Sequence, residues 1–285
     1  RKKFEFSLKM AKQMGKNNIY FYRQEDYERF QRNGRIISAL RNSIANGFEG
    51  FEVYYQPIVD CVSGRVIGAE ALMRYTMVTG DGEEWLSPVE FIPLLEKTGL
   101  IIPMGRFLLN EAAKMCREIQ QYIPEFRVNV NISCYQIEHG KIADKILTAV
   151  RDNGLTPDRI CIEMTESGFM DMTPAFCKFR KVLEENGIQF VIDDFGTGYS
   201  NLHCISDMNP GYVKMDKDFT AKAMSCERDY ELFKKIIEMV HSIGIRICVE
   251  GIEKEDWHLK MKELQADYLQ GYFFGKPCEK KKFME

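Results

Sequence analysis

Phe51-Glu52-Val53-Tyr54-Tyr55-Gln56-Pro57-Ile58-Val59, then Asp60-Cys61-Val62-Ser63-Gly64-Arg65, then Val66-Ile67-Gly68-Ala69-Glu70-Ala71-Leu72-Met73-Arg74-Tyr75 is the stretch on which the fold turns. Two apolar, β-rich runs flank six residues. A parallel crossover needs about a dozen residues or more, so two strands this close must pair as an antiparallel hairpin. Further strand-like runs follow at 126–132, 158–164, 188–193, 211–215, 246–250 and 267–270, with helical patterns between most of them. Eight strands interleaved with helices predict an α/β chain folded as a TIM-like (β/α)8 barrel with one antiparallel strand at the start. An open doubly wound sheet is the alternative.

The helix ends are marked by their own chemistry. Ser87-Pro88-Val89-Glu90 combines an N-cap serine, a proline at the first helical position and a glutamate placed for a capping box. Thr173-Pro174 repeats that start, and Gly187, Gly154 and Gly244 supply stops. Residues 1–33 read differently: a helix over Phe6–Gln13, a short strand at Ile19–Tyr22, and a polar stretch from Arg23 to Arg32. A new helix is expected from about Arg35 to Gly47. The domain plan is therefore a tail at 1–33 and a barrel at 34–285.

With 45% hydrophobic and 28% charged residues, the 285-residue chain has ample material for a core. A net charge of -3 argues against binding a nucleic acid polymer through bulk electrostatics. It does not oppose a small anionic substrate, because a bound cation inverts the local field. The nine cysteines form no CxxC pair, and several sit in apolar runs, so they are expected as buried reduced thiols. No apolar run approaches the ~20 residues of a membrane span, and no leader is apparent, which points to the cytoplasm.

In a β/α barrel, function collects at the C-terminal ends of the strands. Those ends carry Glu70, Asn129-Val130-Asn131, Glu163-Met164-Thr165-Glu166, Asp193-Asp194, Lys214-Met215-Asp216, Glu250 and Gln270. One polar strand end is a solvated terminus; seven in succession are a site. The donors are oxygens, with one lysine and no histidine, which suits magnesium or manganese rather than zinc or copper. So many carboxylates around one mouth call for more than one cation. Two metals about 3.5–4 Å apart are the usual device for cutting a phosphodiester. Asp193 and Asp194 face opposite ways on a regular strand, so sharing a site requires the backbone to turn there, near Gly196 and Gly198.

In order and spacing these motifs resemble the EAL family of cyclic di-GMP phosphodiesterases over about residues 34–280. They include Tyr55–Val59, Glu70–Arg74, Asn129–Ser133, Glu163–Glu166, Asp193–Ser200, Lys214–Asp216, Glu250–Glu253 and Gln270–Tyr272. The resemblance implies hydrolysis of cyclic di-GMP to linear pGpG in bacterial signalling, with magnesium or manganese, on a barrel whose first strand is antiparallel. It implies that Glu70, Asn131, Glu163 and Asp193 hold one metal, Asp193 bridging to a second held by Asp194. Glu250 resembles the general base, with Lys214 and Gln270 beside the attacking water. Gln56, Leu72, Arg74 and Asp216 resemble substrate contacts, and Glu166 resembles a clamp on the Asp194–Ser200 loop. Glu253 resembles a supporting carboxylate. Dimerisation through the barrel and an upstream sensory or GGDEF domain are also implied, residues 11–17 resembling the end of the latter. Gly80–Glu84 superficially resembles that domain's signature but is expected to be a loop. Two further readings stand beside hydrolysis: a catalytically silent cyclic di-GMP receptor, and a carbohydrate-processing barrel using paired carboxylates.

Overall fold

The structure is a computed structural model describing residues 2–15, 17–80, 82–165, 173–196, 205 and 208–285. Two compact units make up the chain: residues 1–51 with 75–100, and residues 52–74 with 101–285.

The second unit is the barrel. Its strands are β1 (Phe51–Asp60), β2 (Val66–Thr79), β4 (Arg127–Asn131), β5 (Ile160–Thr165), β6 (Gln189–Phe195), β7 (Tyr212–Met215), β8 (Arg246–Val249) and β9 (Tyr268–Gln270), the ends of β1 and β2 belonging to the first unit. They follow the order β1-β9-β8-β7-β6-β5-β4-β2, and a β1–β2 pairing closes the ring. Closure excludes the open doubly wound sheet. From β2 through β9 neighbouring strands run parallel. β1 runs antiparallel to β9, with Ile58 opposite Gln270. The six-residue connection thus forced one reversed strand, as read from the sequence. Helices Ile101–Ile119, Pro174–Glu185 and Glu227–Ser242 pack on β4, β6 and β8. The Thr173 hydroxyl accepts from the Phe176 amide, as its start signal predicts.

Inside the ring the side chains form layers, because every second residue of a strand points inward. One layer is apolar, with Ile58, Cys161, Val191, Tyr212 and Cys248 packed together and joined by Ile67 and Tyr268. Two residues further along the parallel strands come Glu163, Asp193, Lys214, Glu250 and Gln270. On reversed β1 the step runs the other way, so Gln56 precedes Ile58. The polar layer is the barrel's upper floor.

The first unit holds helices Lys2–Gln13, Gln24–Ala45 and Pro88–Thr98, and a hairpin of Tyr75–Thr79 with β3 (Gly82–Leu86). Ser87 and Glu90 form the expected capping box, and Gly99 closes that helix at φ 73. Three expectations change here. No strand forms at Ile19–Tyr22: Tyr20 and Tyr22 instead meet the buried Phe6 ring edge-on. The polar stretch from Gln24 is the start of a helix that ends at Ala45, not a loop before one at Arg35. Its charges pair along one face, Asp26 with Arg29, while Tyr27 is buried against Phe6. Where a loop was expected, Gly82–Glu84 belong to β3 and pair with Met77–Thr79.

Eight cysteines fall among the described residues, and none of them is in a disulfide. Cys61, Cys116, Cys161 and Cys248 are buried as expected, whereas Cys134, Cys177 and Cys226 are exposed. Among the described residues no helix is long and apolar enough to cross a membrane.

Candidate active site

The upper polar layer opens into a cleft of about 540 Å³. At its base lies Lys214, fully buried, with its Nζ 2.7 Å from Glu250, 3.1 Å from Glu70, 3.1 Å from Glu163 and 3.4 Å from Asp193. Four strands and the turn after β8 thus aim their inward positions at one point. Asn131 donates to Glu70 (2.8 Å) and Glu163 (3.2 Å). Gln270 donates to Glu70 at 2.7 Å and to Gln56 at 3.0 Å, while its Oε1 is buried with no partner.

Asp194 reaches the same cleft by the anticipated backbone turn. The pairing of β6 with β7 loses register between Ile192 and Phe195, and Asp194 itself takes φ 56. The turn therefore falls on an aspartate, a residue type that tolerates this region better than most. Carboxylate oxygens of Glu70, Glu163 and Asp193 lie within 4.8 Å of one another, and so do those of Asp193, Asp194 and Glu250.

Burial raises the free energy of each charged carboxylate here, and the single lysine offsets it unevenly. Burial pushes the Glu70 carboxyl up, but Lys214 and the amides of Gln270 and Asn131 outweigh it and hold Glu70 below the usual range. Glu163 stands well above that range, through burial and the neighbouring Glu70. Asp193 is raised by burial, Glu250 is pushed up to about 8 by burial, and Asp194 to about 6 by burial and by Asp193. The carboxylate field outweighs burial at Lys214, whose ammonium is held well above its ordinary value.

One ammonium among this many carboxylates leaves negative charge uncompensated. The donors are carboxylate and amide oxygens, and the buried Gln270 Oε1 awaits a donor. That set fits a hard divalent cation of the magnesium or manganese kind.

Gln56, Leu72, Asp216 and Glu253 also line the cleft. Asp216 serves the local backbone too, because its carboxylate accepts from the amides of Asp218 and Phe219 and caps the helix Lys217–Ser225. Arg74 does not line the cleft; it donates to the Met73 carbonyl and lies over the Tyr54 ring. Glu166 and the loop residues 197–200 lie outside the described residues. Among residues the motif reading left without a role, Asn129 bridges downward, donating to Glu163 at 2.5 Å and to the Tyr212 hydroxyl. Its position two residues before Asn131 places it inward by alternation, a signal available in the sequence. Trp257 and Tyr272 line the cleft as well. Nothing in the local pattern of the helix Glu255–Glu263 announces Trp257 as a cleft residue.

The chain is 30% identical over 250 residues to the probable cyclic di-GMP phosphodiesterase PdeG of Escherichia coli, covering 87% of this chain and 48% of PdeG. It is 29% identical over 271 residues to MucR of Pseudomonas aeruginosa, a bifunctional diguanylate cyclase/cyclic di-GMP phosphodiesterase, covering 94% and 38%. Across the first curated relatives it matches, the chain spans between 32% and 48% of their length. Among solved structures, the MucR phosphodiesterase in complex with c-di-GMP superposes with a TM-score of 0.79 at 29% identity, over 87% of this chain and 99% of that one. A family model for the EAL domain matches residues 37–277, the span that supplies every strand of the closed barrel and every carboxylate around Lys214, and the chain belongs to the EAL domain family.

Proposed function

We propose that this chain is a metal-dependent phosphodiesterase that hydrolyses cyclic di-GMP to linear pGpG. The observation that carries the reading is the ring of Glu70, Glu163, Asp193, Asp194 and Glu250 closed around the buried Lys214. A pure nucleotide receptor has no need for so much uncompensated charge. A glycosidase-like site would leave Asn131, Lys214 and the Asp193–Asp194 turn without a role.

In this reading Glu70, Asn131, Glu163 and Asp193 hold one magnesium or manganese ion, and Asp193 with Asp194 holds a second. Bound there, the ions supply Lewis acidity and charge neutralisation at the phosphodiester. The chain's own groups do the rest. Glu250, ionised once bound cations neutralise the ring, accepts a proton from the attacking water as the water's oxygen bonds to phosphorus. As the ester P–O bond breaks, the leaving ribose oxygen takes up a proton from solvent and ends as a hydroxyl. Lys214 holds Glu250 in place at 2.7 Å and steadies the charge that develops. Gln270 and Gln56, already bonded to each other, orient groups at the cleft base. Gln56, Leu72 and Asp216 contact the substrate, Arg74 swings from Met73 to a phosphate, and Glu253 supports the rim.

The same reading makes the chain a cytoplasmic homodimer through the barrel, with residues 1–33 the end of a GGDEF-like domain and its linker and residues 34–285 the phosphodiesterase. MucR, which pairs a cyclase with a phosphodiesterase, supports that plan. The test is direct. Purified protein with cyclic di-GMP and magnesium or manganese is expected to yield pGpG by chromatography, and chelator is expected to stop it. Chelator-resistant turnover would overturn the metal assignment, and tight binding without product would make the chain a receptor.

A further inference from the structure

Trp257 plays no part in the barrel core or in the metal-binding ring. It sits in the first turn of the helix Glu255–Glu263, which buries only Met261. It is partly exposed, and it lines the same cleft as Glu70, Asp193, Asp194 and Glu250. The Lys254 ammonium lies over the indole, 5.8 Å from its centre. Tyr272, 58% exposed, lines the cleft too, with Lys276 over its ring at 5.2 Å. Two aromatic rings, each accompanied by a cation, thus border a cleft whose base is otherwise acidic.

An indole neither ligates a hard cation nor serves as an acid or base near neutral pH. What it offers is a flat, polarisable face on which another flat ring stacks, and the nearby ammonium suits a ligand with phosphates attached. We propose that Trp257 stacks on one purine of the substrate and sets the preference for purine dinucleotides over phosphodiesters that lack a base. The proposal rests on the phosphodiesterase reading for its substrate, but not for its measurement.

The chain has two tryptophans, Trp85 and Trp257, so Trp85→Phe leaves the indole in the cleft as sole reporter. In the W85F/E250Q protein with magnesium, cyclic di-GMP is expected to quench that emission saturably, while dimethyl phosphate leaves it unchanged. In the otherwise native protein, Trp257→Ala is expected to raise KM for cyclic di-GMP at least about tenfold, with kcat within about threefold. Trp257→Phe recovers most of that loss. Unaltered emission at a cyclic di-GMP concentration that calorimetry finds saturating overturns the proposal, as does a KM in W257A within about twofold of native. Quenching in a protein whose native form makes no pGpG upholds the stacking and removes the catalytic reading. Turnover without quenching does the reverse. If W257A fails to fold, the quench and W257F decide.

Discussion

Lys214 is the residue on which the site balances. A fully buried ammonium is costly, yet here four carboxylates within 3.4 Å make its charged form the stable one. Lys214→Met removes the cation and leaves buried carboxylates facing one another, a class of change that costs ~3–5 kcal/mol. Thermal unfolding in chelator is expected to fall by on the order of 10 °C, and saturating magnesium to return part of the loss. An unchanged midpoint in chelator would show that the carboxylates simply protonate. Glu250→Gln keeps the shape and the contact with Lys214 but removes the basic oxygen. Turnover should drop by ~10²–10⁴-fold with metals saturating. A fall of less than tenfold assigns the base to another group.

At the scale of elements, the strand ends decide where those side chains point. The kink at Asp194 is one device. The junction of β8 and β9 is another: the Ile252 amide donates to the Gln270 carbonyl, and the Phe273 amide to the Ile252 carbonyl. This crossing leaves no room at Gly271, where an added Cβ would come within 2.6 Å of the backbone N, C and O of Ile252. Gly271→Ala must therefore push away the turn that carries Glu250. We expect a stability loss of ~1–3 kcal/mol, read as a lower melting temperature, and hydrolysis at least tenfold slower although no charged group changes. Normal activity in that variant would mean the turn can move without moving Glu250.

For the whole molecule, metal binding and folding stability are linked, because the carboxylates converge only in the closed barrel. A ligand bound by the native state alone stabilises it by about 2.7 kcal/mol at 100 times its Kd. Scanning calorimetry is expected to give a melting temperature that climbs with magnesium or manganese and is insensitive to added sodium at matched ionic strength. A flat response would leave the acidic ring without its cation.

The reversed first strand, the barrel, and the strand ends bearing Glu70, Asn131, Glu163, Asp193, Lys214, Glu250 and Gln270 were all legible in the sequence. They rest on local facts: a connection too short to cross over, and alternation that sends every second side chain inward. The turn at Asp193–Asp194 was foreseeable for the same reason. What alternation could not supply was the start of the helix at Gln24 or the hairpin at Gly82–Leu86. Polar and glycine-rich segments carry weak periodicity, and their partners, Phe6 for Tyr27 and Met77–Thr79 for Gly82–Glu84, lie elsewhere in the chain. Nor could the sequence place Lys214 at the centre of the ring, Asp216 on a helix amide pair, or Trp257 at the cleft. Those depend on distances between strands and helices far apart in the chain, which exist only once the barrel has closed.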